Sequence, residues 1–254
     1  MPAPQNALKT ALDRGEPQCG LWLTLASGAV AEIAGKAGFD WCLIDAEHGP
    51  NTLTTLQMQL QALAGTPAQA VVRVPSGEDW ILKQVLDLGV QTIVVPMVNT
   101  AEQAAQVAAA VRYPGQGSRG MGAVLARASG YGEIVDYVAS ANEQIFLFVQ
   151  IESAQAVENV DAIAATPGVD GIFVGPADLS ADMGFVGQLD APEVLVAIDH
   201  VYARTKAAGK AIGTVVFDEP DFQPQIEKGV TFLGVGGDSY VLQRSLSALA
   251  SKVP

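Results

Sequence analysis

Eight short β-rich runs alternate with eight amphipathic stretches along this chain, and that alternation leaves few folds open. Strands are expected at 19–24, 39–45, 70–75, 92–98, 145–151, 171–175, 211–216 and 232–236. Helices are expected at 29–38, 52–64, 78–88, 101–111, 154–165, 192–208, 221–228 and 240–251. Gly38, Gly89, Gly209 and Gly229 stand where helices stop, as left-handed C-caps require. The strands read as continuous apolar runs, the pattern of a parallel sheet covered on both faces. Eight βα units in 254 residues match an α/β fold of one kind, the single (β/α)₈ TIM barrel, in count and in length. A doubly wound open sheet is the rival topology. It lacks support because no glycine-rich fingerprint follows the first strand. The expected organisation is one domain over 1–254, with a rim insertion at about 113–141. The insertion, rich in glycine with Arg119 and Arg127, reads as a lid or binding loop.

A barrel collects its chemistry at the C-terminal ends of its strands. The segment Ile44-Asp45-Ala46-Glu47-His48-Gly49-Pro50 is the most telling exit. It carries one of only two histidines, three residues after an aspartate. His48 reads as a base oriented by Asp45, whose carboxylate would fix its tautomer. The next strand brings Arg73 inside an apolar run, Val71-Val72-Arg73-Val74-Pro75. A guanidinium there needs anionic partners. Two readings stand: an ion pair with Asp45 or Glu47, or capture of a carboxylate or developing oxyanion. Gln150 and Glu152 leave the fifth strand, and Gly175-Pro176-Ala177-Asp178 the sixth. Glu152 and Asp178 come from neighbouring strands, so their carboxylates can converge. Without soft ligands nearby, they suit a hard divalent cation such as Mg²⁺ or Mn²⁺. Helix capping is the competing role for each.

Other residues are informative by what they exclude. None of the seven lysines lies at a strand exit, so a Schiff base has no amine to form on. Cys19 and Cys42 sit in apolar runs and read as buried thiols, and His200 reads as a surface or packing residue. Gly234 to Gly237 fit either a phosphate site or tight packing. Net charge is −13, which argues against nucleic-acid and anionic-membrane partners. No apolar run approaches a membrane span, and the polar start is unlike a secretory signal. A cytoplasmic location is the expectation.

These residues resemble the HpcH/HpaI aldolase family, the metal-dependent class II pyruvate aldolases that include 4-hydroxy-2-oxo-heptanedioate aldolase. The resemblance runs almost end to end. It rests on Asp45-Ala46-Glu47-His48-Gly49, Val72-Arg73-Val74-Pro75, Leu86-Asp87-Leu88-Gly89 and Val94-Val95-Pro96-Met97-Val98. It continues through Arg119-Gly120, Gln150-Ile151-Glu152 and Phe173-Val174-Gly175-Pro176-Ala177-Asp178-Leu179-Ser180. It implies that Glu152 and Asp178 hold a divalent ion (Mg²⁺, Mn²⁺ or Co²⁺), with the substrate's 2-oxo and carboxylate oxygens and water completing the shell. It implies that Arg73 holds the enolate oxygen and that His48, oriented by Asp45, acts as base. Gln150, Gly175, Pro176, Ala177 and Asp178 would line the substrate site. Asp87 would reach into a neighbouring subunit's site, which implies a homo-oligomer, a hexamer built as a trimer of dimers. The implied reaction is reversible cleavage of 4-hydroxy-2-oxoacids, with pyruvate or hydroxypyruvate as donor and an aldehyde as acceptor. A CoA-thioester lyase like the citrate lyases is the alternative, although the low Lys and Arg content offers little surface for CoA. A non-catalytic keto-acid binder is the remoter one. The chain has Tyr113-Pro114-Gly115 where relatives often carry Tyr-Pro-Pro. That departure and Thr214-Val215-Val216-Phe217 bear on acceptor choice.

Overall fold

The computed structural model describes residues 1–217 and 222–253. Eight parallel strands close into a barrel: β1 (Gln18–Leu23), β2 (Trp41–Asp45), β3 (Gln69–Arg73), β4 (Thr92–Val95), β5 (Phe146–Ile151), β6 (Gly171–Val174), β7 (Ala211–Val215) and β8 (Phe232–Gly237). Each pairs with the next, and β8 pairs back to β1. The single (β/α)₈ barrel expected from the alternation is therefore the fold. Side chains alternate along each strand. Cys42, Ile44, Val72, Ile93, Leu147, Val149 and Ile172 face outward and form the layer beneath the helices. Trp22, Trp41, Leu43, Val71, Val94, Phe146, Phe148, Phe173 and Phe232 fill the interior.

The interior is unusually aromatic, and glycines make that possible. Trp41 stacks on Phe232 with centroids 3.9 Å apart, and Phe148 lies 4.5 Å from Phe232. A Cβ at Gly20 would enter the Trp41 ring, and one at Gly171 would enter that of Phe148. Gly234 belongs to the same set, since a Cβ there would lie 2.5 Å from Trp22. Of the two readings of the Gly234–Gly237 run, tight packing is the one that holds at Gly234.

The lower mouth is plugged by a short helix, Ala7–Asp13, which puts Leu8 and Leu12 against the interior rings. Its seven residues carry too few apolar positions to announce a helix in sequence. The helix expected at 154–165 is two pieces, Ala154–Glu158 and Val160–Ala164. A further helix, Pro176–Asp182, follows β6 at once. The helix expected at 221–228 begins on Asp221, outside the described residues. Its described part is Gln223–Glu227. The last helix, Asp238–Ala250, leaves Val241, Leu242, Leu246 and Leu249 exposed.

The insertion needs correction. It follows the helix Ala101–Ala110, which runs back to the start of the next strand, so it lies at the N-terminal mouth and does not lid the strand exits. There it packs on the N-terminal segment. Ala3 N–H donates to Ser140 Oγ at 2.8 Å, and Asn6 N–H to Gln144 Oε1 at 2.9 Å. Its helix is Tyr137–Ala141, preceded by two 3₁₀ turns, Ala123–Leu125 and Arg127–Ser129.

Candidate active site

Period-two alternation turns polar at the top of the barrel. The last inward residues of β2 and β3 are Asp45 and Arg73, which stand directly opposite in register. Both are buried, at 1% and 8% exposure. Arg73 Nε donates to Asp45 Oδ1 at 2.9 Å and Nη2 to Oδ2 at 2.5 Å, a planar two-point pair. Nη1 lies 2.9 Å from Glu47 Oε2. Of the two roles open to Arg73, the ion pair is thus made with both acids at once. Two of its five N–H groups bond Asp45 and Nη1 forms an ion pair with Glu47, so N–H groups remain to meet a ligand.

The turn after β2 is built around Asp45. Its Oδ1 accepts from the backbone N–H of Glu47 at 3.0 Å and of His48 at 3.4 Å. Asn51 Nδ2 donates to the Asp45 carbonyl at 2.7 Å, and buried Gln59 holds Asn51 in turn. The expected arrangement, in which the Asp45 carboxylate orients the imidazole, is not what this turn makes. Asp45 is saturated by the guanidinium and two backbone donors. The carboxylate facing His48 Nε2 is Glu47, at 3.9 Å, and the imidazole side chain is 64% exposed.

Gln150 is the last inward residue of β5, and Glu152 follows two positions on. Glu152 is 2% exposed. Its Oε1 accepts from Met97 N–H at 2.7 Å and its Oε2 from Gln150 Nε2 at 2.6 Å. Met97 adopts φ +55°, unusual for a side-chain-bearing residue, and that bend aims its N–H at Glu152. Gly175 follows β6 and serves as a cradle. A Cβ there would lie 2.5 Å from Glu152 Oε2. Asp178 stands exposed in the first turn of Pro176–Asp182.

The electrostatics favour a cation. Burial raises the Glu152 carboxyl to about 7. The Met97 N–H counters this, and the charges of Glu47 and Asp178 add to the rise. Burial also raises Glu47, partly offset by Arg73. Among the described residues one guanidinium, paired with Asp45 and Glu47, also acts on Glu152. Among the described residues no three of His, Cys, Asp and Glu form a closed metal cage. Two carboxylates fit instead an open site, with positions left to water and substrate. Gln150 Oε1, buried and without a hydrogen-bond partner, is an unused acceptor beside them. Glu152, Asp178, the Gly175 cradle and this orphan oxygen are compatible with a hard divalent ion.

Gly175→Ala tests the cradle. The added methyl must push the Glu152 carboxylate aside, so affinity for Mn²⁺ is expected to fall by about 10- to 100-fold. Calorimetric titration of the folded variant with Mn²⁺ reads this directly, and unchanged affinity would refute the cradle.

The residues meet in a cavity of about 650 Å³ at the strand exits, whose walls include Asp45, His48, Arg73, Gln150, Gly175 and Asp178. Pro176 and Ala177 line it as well. Asp87 does not come near them. It ends the helix Asp79–Asp87 at the opposite mouth, where Arg119 Nη2 donates to it at 2.7 Å. Sequence reasoning placed Glu47 only as a partner for Arg73 and overlooked its approach to His48. It also overlooked Leu195, Ile198 and Tyr202, which line the cavity from the helix Pro192–Ala207. A stripe at i, i+3, i+7 reads as core packing.

Residues 18–244 match the sequence profile of the HpcH/HpaI aldolase/citrate lyase family. A hydroxypyruvate/pyruvate aldolase from Agrobacterium fabrum is 50% identical over 252 residues, covering 99% of this chain and 95% of its own. A 4-hydroxy-2-oxo-heptane-1,7-dioate aldolase from Salmonella paratyphi C is 48% identical over 249 residues, 98% of this chain and 94% of its own. The crystal structure of a family protein from Burkholderia cenocepacia superimposes with a TM-score of 0.94 at 40% identity, over 98% of this chain and 99% of that one.

Proposed function

Because the chain belongs to the HpcH/HpaI aldolase/citrate lyase family, we propose that it is a carbon–carbon lyase that cleaves and forms 4-hydroxy-2-oxoacids, with pyruvate or hydroxypyruvate as donor and an aldehyde as acceptor. The supporting observation is that Asp178, Arg73 and Gln150 line one cavity at the strand exits, with buried Glu152 held beside it by the Gln150 amide. Relatives at nearly half identity are named aldolases, which favours this reading over a CoA-thioester lyase or a non-catalytic binder.

Glu152 and Asp178 would hold a divalent ion (Mg²⁺, Mn²⁺ or Co²⁺). When bound, it would polarise the 2-oxo group and offset negative charge developing there. Arg73 turns its remaining N–H groups to the same oxygen. Backbone N–H groups of Ala177 and Asp178, at a helix start after Gly175 and Pro176, receive the donor's carboxylate. Gln150 holds Glu152 in place. His48, solvent-facing and 3.9 Å from Glu47, takes the C3 proton of the donor or returns it. Asp45 acts on this step by fixing Arg73 and the turn that carries His48. EDTA is expected to abolish both aldol cleavage and exchange of the pyruvate C3 protons with solvent, and Mn²⁺ to restore them. Full activity in excess chelator, or trapping of a pyruvate adduct by borohydride, would sink this reading.

The active form is a homo-oligomer, a hexamer arranged as a trimer of dimers. Asp87 lies at the mouth opposite its own His48, so it can serve only the site of another copy. Exposed Met121, Val124, Leu125 and Tyr131 surround that mouth, and the last helix exposes a second apolar face. Mixing inactive His48→Ala and Asp87→Asn proteins is expected to restore part of the activity, because some sites then hold both residues. Failure to complement would remove Asp87 from the site. No helix among the described residues is long and apolar enough to cross a membrane, in keeping with a cytoplasmic enzyme.

A further inference from the structure

Two arginines of the insertion meet the end of the helix Asp79–Asp87 at the N-terminal mouth. Arg127 Nη1 donates to the Leu88 carbonyl at 2.6 Å and so closes the last turn. Arg119 has a different task. Its Nη2 donates to Asp87 Oδ1 at 2.7 Å. The Arg119 side chain is 1% exposed, whereas that of Asp87 is 28% exposed. The guanidinium lies over the Tyr113 ring, with Cζ 4.3 Å from the centroid. Tyr113 is itself pinned. Its backbone N–H donates to Asn142 Oδ1 at 2.7 Å, and Asn142 Nδ2 donates to its carbonyl at 3.3 Å.

As a structural ion pair this one is incomplete at both ends. Arg119 Nε is buried without a hydrogen-bond partner among the described residues. Burying a guanidinium for a single acidic partner is a poor source of stability. Asp87 Oδ2 receives no hydrogen bond among the described residues. Gly122 stands beside that oxygen. A Cβ there would lie 3.5 Å from Oδ2, so glycine leaves it uncovered. What the arrangement does achieve is direction. A rigid planar group clamps one carboxylate oxygen from behind, and the other is left open at the mouth.

We propose that Arg119 is a positioning residue: buried behind Asp87 and out of reach of substrate, it aims that carboxylate at the site of another copy. The inference rests on the reading in which Asp87 serves a neighbouring site, and it names the residue that sets the carboxylate before the copies meet. Arg119 acts only through the Asp87 of its own chain. Its loss therefore damages the half of a shared site that carries Asp87 and spares the half that carries His48.

The test reads exchange of pyruvate C3 protons with Mn²⁺, which needs no acceptor aldehyde. Arg119→Met removes the donors and the charge. Its kcat is expected to fall about 10- to 100-fold, as for a group displaced by about 1 Å. Arg119→Lys, which returns charge without the planar fork, is expected to lie between Arg119→Met and wild type. Co-expression then assigns the defect to one half of the site. Paired with His48→Ala, Arg119→Met is expected to reach about a quarter of wild-type activity, the share of sites that random assembly gives an intact His48 and a clamped Asp87. Paired with Asp87→Asn, it is expected to give no more than Arg119→Met alone, because no Asp87 in that mixture keeps its arginine. If Arg119→Met does not fold, Arg119→Lys carries the same comparison. Failure of both to fold, full activity of the folded variant, or equal recovery with the two partners overturns the inference. His48→Ala paired with Asp87→Asn separates the levels. Recovery in that pair without recovery of the Arg119 variant by His48→Ala overturns the role of Arg119 alone. No recovery in that pair overturns the reading of Asp87 and this inference with it, and wild-type protein without exchange overturns the aldolase reading as well.

Discussion

Glu152→Gln is expected to lower aldol cleavage by on the order of 10³-fold or more, while making the metal-free protein more stable above pH 7. The first effect follows from charge. A neutral amide cannot take the carboxylate's part in holding a divalent ion, and the several kcal/mol of charge stabilisation lost with the ion correspond to that factor. The second follows from the environment of Glu152. In the absence of cations the folded carboxyl titrates near 7, against an ordinary value of 4.5. Between those values the folded chain holds a proton that the unfolded chain has lost. Stability from this group is therefore full below about 4.5 and is lost as pH rises through about 7. The loss is on the order of 2–3 kcal/mol. Glutamine cannot ionise and avoids it. Thermal melts in EDTA should show the variant matching the parent at pH 4.5 and exceeding it at pH 8. Mn²⁺ should raise the parent's melting temperature at pH 8 and leave the variant's unchanged. A variant less stable than the parent at pH 8 in EDTA would show that Glu152 bears no repulsive strain.

Arg73→Ala is expected to damage both fold and chemistry. Among the described residues the guanidinium is the sole cation bonded to Asp45, which is 1% exposed, and it also holds Glu47. Removing it strands a buried carboxylate, a loss of about 3–5 kcal/mol in unfolding free energy. Urea denaturation at pH 7 reads this. Arg73→Lys should recover part of the stability, since one ammonium restores charge without the two-point fork. Activity should not recover alongside. The N–H groups left for substrate belong to a planar group fixed by three contacts, and losing such donors costs about 10²–10³ in rate. Lysine that restores both stability and pyruvate proton exchange would reduce Arg73 to a purely structural ion-pair partner.

Much of this molecule can be read from its residues in order. Apolar runs broken by amphipathic stretches indicate strands and helices, and their number indicates a closed barrel. Asp45, Arg73, Gln150 and Glu152 are legible because a polar residue at the end of an apolar strand has few reasons to be there. The Ala7–Asp13 plug was not legible, because a single i, i+4 pair of leucines in seven residues is too short a periodic signal. The mouth at which the insertion lies is set by the helix before it, not by its length. A segment after a returning helix must start at the lower mouth, whatever its composition.

The partner of His48 depended on geometry that a linear reading lacks. Asp45 and Glu47 sit two residues apart, and either can face the imidazole on paper. Register across β2 and β3 decides the matter. It places Arg73 directly beside Asp45, whose two oxygens the guanidinium takes, while Glu47 Oε2 is shared, 2.9 Å from Arg73 Nη1 and 3.9 Å from His48 Nε2. The chamber under Pro192–Ala207 has the same origin. Leu195, Ile198 and Tyr202 look like core in any helix, and only the spacing between that helix and β7 shows that part of their surface faces a cavity. By itself, the sequence determined the elements, the closed barrel and the residue types at its exits, because alternation and burial act locally along each strand. Which charges pair, which mouth each loop serves and where room remains were decided by the tertiary structure, because these depend on distances between strands and helices far apart in the chain.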